Sequence, residues 1–128
     1  MPRAAVAASM VFLLTASAAF ALDEDYLMSL FTVPGKAQME FAELANRHPF
    51  VAAHALATWS KKRCGLNDPS PALFAAAGGE AGMKTPEGEK TFLVAGVIAS
   101  MKFKTAAESD NFCDTTRRVI AEAENLAK

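Results

Sequence analysis

The residues that could do chemistry are few: two cysteines, two histidines, scattered serines and two close pairs of glutamates. Thiol redox catalysis wants two neighbouring sulfurs, as in Cys-x-x-Cys, and Cys64 and Cys113 stand far apart. Two cysteines also fall short of a four-cysteine zinc site. His48 and His54 are six positions apart, which places them on different faces of a helix, and no H-E-x-x-H pattern occurs. No metal site is therefore expected. Without a Cys-x-x-Cys-His run there is no covalent haem signature, and no cofactor is expected.

Nucleophile signatures are missing as well. There is no G-x-S-x-G, and Ser60, Ser100 and Ser109 have no base close in sequence. Glu87/Glu89 and Glu122/Glu124 are spaced by two, which splits each pair across helical faces and argues against an acid/base dyad. Gly78-Gly79-Glu80-Ala81-Gly82 lacks the preceding strand and the following Lys-Ser or Lys-Thr of a phosphate cradle, and reads as a flexible loop. Lys61-Lys62-Arg63 reads as a solvated helix terminus whose positive charge complements the dipole. His54 reads as a partly buried packing residue, and Trp59 and the phenylalanines read as core. No catalytic residue is expected, and the chain is read as non-enzymatic.

The elements holding these residues follow from punctuation and period. Met1 to Ala21 has one early charge, Arg3, then an uncharged run from Ala4, greasiest over Met10-Val11-Phe12-Leu13-Leu14. Ala19-Phe20-Ala21 supplies small residues at the −3 and −1 positions, and Asp23-Glu24-Asp25 follows. This is the pattern of a cleaved secretory signal peptide, so residues 1–21 are expected to be removed. The expected location is the periplasm of a Gram-negative bacterium or the exterior. In an oxidising compartment Cys64 and Cys113 are expected to form one disulfide. Closing a loop of roughly fifty residues contributes about 4 kcal/mol in the chain-entropy model.

The remainder, residues 22–128, reads as a single helical domain. Tyr26, Leu27, Leu30 and Phe31 recur at three and four within Asp23 to Val33, and Pro34-Gly35 stops that helix. Lys36 to Asn46 is the second helix. Pro49 opens the third, with His48 before it as a loop or N-cap residue, and Gly65 ends it. Ser70-Pro71 caps a short helix through Ala77. Thr85-Pro86, with Glu87 and Glu89, starts another. Phe92 to Met101 is uncharged and fits a buried strand or a central helix; the cap before it and its helical neighbours favour helix. Gly96 within it permits close packing against another helix. Thr105-x-x-Glu108 is a capping-box pattern that opens the last helix, running to about Ala127 with a restart near Asp110. In that helix Phe112, Cys113, Thr116, Ile120, Ala123 and Ala127 face inward, and Arg117, Arg118, Glu122 and Glu124 face outward. The expected fold class is all-α: a small bundle of five or six helices with one disulfide.

An exported helical chain with two cysteines about fifty residues apart resembles the small periplasmic acid-stress chaperones, at most over Cys64 to Lys128. The resemblance implies a disulfide-clipped helical domain that opens at low pH and covers unfolded clients. No motif around Cys64 matches, and no functional residue is carried over.

Composition narrows the partners. A net charge of −1 provides no field for nucleic acid. No stable membrane insertion is expected once the leader is gone. The expected function is protein–protein contact with an envelope partner, in a chaperone-like, inhibitory or accessory role. The alternative is a small hydrophobic-ligand carrier, with Phe92–Met101 and the aromatics around Trp59 enclosing the ligand. The binding residues themselves are not legible at this level.

Overall fold

The structure is a computed structural model that describes residues 23–128; the export signal read over 1–21 lies outside the described residues. Among these, seven helices and no strands form an all-α bundle with one disulfide. They are α1 (Glu24–Thr32), α2 (Lys36–Arg47), α3 (Pro49–Cys64), α4 (Pro71–Ala76), α5 (Gly79–Met83), α6 (Pro86–Lys102) and α7 (Ala106–Ala127).

Most boundaries obey local chemistry. Ser70, Thr85 and Thr105 each accept a backbone N–H three residues on, from Leu73, Gly88 and Glu108. Each such cap stabilises its helix by about 1 kcal/mol. Pro49, Pro71 and Pro86 occupy first-turn positions where a missing N–H costs nothing. Phe92 to Met101 is helical throughout, and α7 runs without a restart at Asp110.

The helix count exceeds the sequence expectation because the glycine-rich stretch is not a loop. Gly78 and Gly79 both take positive φ, at 95° and 65°, which a side chain would resist. That reversal lets Gly79–Met83 wind into one more turn, α5, between α4 and α6.

Helix α3 is the central element and packs against α2, α4, α6 and α7. Its sequence explains this place. Val51, Ala52, Ala53, Ala55, Leu56, Ala57, Ser60 and Cys64 are all buried, so small side chains cover most of its circumference and let neighbours approach on several sides. Helix α6 is the second core helix, burying Val94, Ala95, Val97, Ile98 and Ala99. Against it, Leu30 of α1 and Ala37 and Leu44 of α2 complete the largest apolar cluster. A smaller cluster joins Ala53, Leu73 and Ala123, tying α4 between α3 and α7. Tyr26 links α1 to its neighbours: the Lys36 and Lys90 ammoniums lie 5.2 and 5.1 Å from its ring centroid. Burial, with the Glu40 carboxylate beside it, holds the Tyr26 phenol above its usual pKa.

The disulfide Cys64–Cys113 joins the last residue of α3 to the second turn of α7, with both cysteines buried. Two residues expected to face solvent from α7 instead support this junction. Arg117 Nη2 donates to the Cys64 carbonyl at 2.6 Å. Glu124 accepts from the Ser70 backbone N–H at 3.0 Å and from the Ser70 hydroxyl. The Ser70 hydrogen bonds pull the Glu124 carboxyl below its ordinary pKa. Both side chains sit at the edge of the inward face of α7, where periodicity leaves direction open and a partner decides it.

Candidate functional site

A concavity with a mainly apolar lining lies between α3 and α6. It has a volume of about 380 Å³ and is lined by His54, Thr58, Met83, Glu89, Phe92 and Leu93. Local sequence positions each side chain. His54 and Thr58 are one helical turn apart on α3, and Glu89 shares a face of α6 with Phe92 and Leu93. Met83, the last residue of α5, closes one end.

The aromatic walls are braced from behind. Trp59 stacks at 5.0 Å on Phe92, and its indole N–H donates to the Phe92 carbonyl at 2.8 Å. The indole lies on the bare backbone of Gly96, where an added Cβ would come within 2.6 Å of the ring. Close packing at Gly96 is thus as its sequence suggests. Trp59 is not the core residue expected, however, because the notch seats only one ring face and leaves the side chain 43% exposed. His54 packs against Phe74, centroids 5.4 Å apart.

The polar groups differ in how far they are occupied. The Thr58 hydroxyl donates to the His54 carbonyl at 2.9 Å and so serves its own helix. His54 Nδ1 is buried without a hydrogen-bond partner. Burial pushes the imidazole below its usual pKa, which keeps it neutral at pH 7. Glu89 is exposed at the rim and makes no ion pair or hydrogen bond among the described residues.

The lowered His54 pKa has a sign. Unfolding returns the imidazole to water and to a pKa near 6.5. Below that pH the unfolded chain binds a proton that the folded chain resists, so stability falls as pH drops through the folded pKa. Urea midpoints are therefore expected to decline between pH 7.5 and 5. His54→Gln is expected to flatten that decline and leave only the carboxylate-driven loss at lower pH. An unchanged slope in the variant would remove His54 as the cause.

His48, the other histidine, is the N-cap residue of α3 by position, but its side chain does not cap. It pairs with Glu87 of α6, which also takes Arg47 at 3.1 Å. The His48 hydrogen bond, aided by Arg47, holds the Glu87 carboxyl below its usual range. This exposed cluster fastens the α2–α3 corner to the start of α6. Glu87 and Glu89 do part to different faces, as their spacing requires.

Two residues of the basic run at the end of α3 have local partners. Lys61 pairs with Asp68 at 2.7 Å, and Arg63 lies 5.2 Å over the Phe103 ring. Among the described residues, no group of three or more His, Cys, Asp or Glu is placed to hold a metal ion. In the same range, no helix is long and apolar enough to cross a membrane.

Sequence reasoning does not single out Thr58 or Met83, and it takes Glu89 only as a helix-start acid and as half of a rejected dyad. The spacing of Glu89, Phe92 and Leu93 was an available signal; Met83 had none. No protein-family model, curated protein or solved structure matches this chain.

Proposed function

We propose that the chain is an exported, non-enzymatic protein that acts by contact with a protein partner in the periplasm or outside the cell. The observation that carries this reading is the apolar surface at the α1–α2 corner. Met28, Phe31, Val33 and Met39 are 58, 50, 48 and 70% exposed there. Val33 and Met39 also line one shallow groove of about 250 Å³ with Pro34, Lys36, Glu40 and Glu43. Four large apolar side chains kept in water so close together lose hydrophobic free energy that a partner surface would recover. The leader pattern over residues 1–21 and a buried disulfide support export to an oxidising compartment. The role is chaperone-like, inhibitory or accessory, and the partner is an envelope protein.

The test is a photo-crosslinking residue at position 39, irradiated in cells, with position 126 on α7 as the control. One discrete adduct at 39, absent at 126 and lost in Phe31→Asp, is the expected result. Equal adducts at both positions, or none at 39, would overturn the reading.

The α3–α6 cleft favours a second reading, a carrier of a small hydrophobic ligand. Its volume falls at the low end of the roughly 300–1,000 Å³ typical of ligand pockets.

A further inference from the structure

The charges around the α3–α6 cleft are not all alike. Glu80 and Lys84 of the α5 region pair with each other at 2.7 Å. Glu87 is taken by His48 and Arg47. The Lys90 ammonium is turned to the Tyr26 ring. Glu89 lies at the rim of the apolar lining, and among the described residues no cation pairs with it. A carboxylate in the first turn of α6 also suits the helix dipole. Glu87 meets that need equally well, so the dipole does not explain why Glu89 stays unpaired beside Phe92 and Leu93.

We propose that this cleft binds a small organic amine, an ammonium group on a compact apolar or aryl body. The body fills the space between Phe92, Leu93, Met83 and His54, and the ammonium sits against Glu89. A carboxylate ligand would meet Glu89 as a like charge. A neutral ligand would gain the apolar contacts and leave the carboxylate unpaired. The cleft volume of about 380 Å³ accommodates one ring and a short chain. The neutral imidazole of His54 removes the one lining group that would otherwise repel a cation. This inference rests on the carrier reading and deepens it by naming the ligand's charge.

Three probes with the same body separate the possibilities: 4-phenylbutylamine, 4-phenylbutanol and 4-phenylbutyrate. The single tryptophan, Trp59, stacks on Phe92, so its fluorescence reports occupancy, and backbone amide shifts at His54 and Leu93 locate it. The amine is expected to bind about fivefold more tightly than the alcohol at low salt, with the advantage shrinking in 0.5 M salt. The butyrate is expected to bind most weakly. In Glu89→Gln, an exposed substitution, the amine should fall to the level of the alcohol. If the alcohol equals the amine in the wild type, the charge proposal fails and the carrier reading stands. If none of the three shifts His54 or Leu93, both fail.

Discussion

Replacing both cysteines, as Cys64→Ala with Cys113→Ala, is expected to lower stability by about 4 kcal/mol. The bridge closes a loop with a sequence separation of 49 and removes that loop's freedom from the unfolded chain. The fold has little with which to offset the loss. Nine of the nineteen buried apolar residues described are alanines, and an alanine side chain buries little area. A total stability in the ordinary range of about 5–15 kcal/mol would thus lose a large share. Helix α7 should suffer first. It packs mainly on α3, and its contact with α6 is slight. Without the bridge it keeps the Arg117 bond to Cys64, the Glu124 bonds to Ser70 and the Leu73–Ala123 contact. The urea midpoint is expected to fall by roughly 2 M, for a denaturant slope typical of small proteins. Amide exchange should quicken along α7 before it does in α6. A midpoint change below about 0.5 M would mean that the unfolded chain is already compact near these residues.

This staple was legible because two cysteines that follow a leader-like sequence pattern admit one intramolecular pairing. The main helices were legible for a similar reason: Thr85-Pro86, Ser70-Pro71, Thr105-x-x-Glu108 and Gly65 fix boundaries through bonds made within a few residues. Local chemistry stops being informative where a side chain chooses between water and a distant partner. Arg117 and Glu124 look solvent-facing by period, yet each finds an acceptor or donor more than fifty positions away. Trp59 looks like core, yet its place is set by the Gly96 notch on another helix. The α5 turn was hidden because glycines that break helices can also supply the reversal that starts one. The cleft shows the same division. His54 with Thr58, and Glu89 with Phe92 and Leu93, are same-face spacings readable along the chain. That those two faces oppose each other is a property of how α3 packs on α6. Of the Phe92–Met101 segment expected to enclose a ligand, only Phe92 and Leu93 line this cleft; Val94, Ala95, Val97, Ile98 and Ala99 are buried in the bundle.

Gly88→Ala is expected to destabilise the fold by about 3 kcal/mol, the upper end of what overpacking usually costs. Gly88 is the third residue of α6 and is buried against the end of α5. An added Cβ would stand 2.4 Å from the Gly82 carbonyl oxygen and 2.7 Å from that of Met83. These are backbone atoms and cannot rotate aside. The Gly82 carbonyl also accepts the Thr85 hydroxyl at 3.0 Å, so moving it disturbs the residue that caps α6 through the Gly88 N–H. Intrinsic propensity points the other way, since alanine exceeds glycine in a helix interior by about 1 kcal/mol. The sign of the measured change therefore decides whether the contact governs. Gly96→Ala is the useful comparison. Its Cβ would meet the Trp59 ring, a partly exposed side chain that can shift at the expense of its bond to Phe92. The loss there is expected to stay near 1 kcal/mol, with a red-shifted Trp59 emission as the ring moves into water. At Gly88 the emission should hardly change at temperatures where the chain is folded. The displaced element would be α5, which carries Met83, so amine binding in the cleft should weaken. A thermal scan of both variants distinguishes them. If Gly88→Ala proves as stable as the wild type, the α5–α6 junction yields easily, and Met83 is a movable wall of the cleft and not a fixed one.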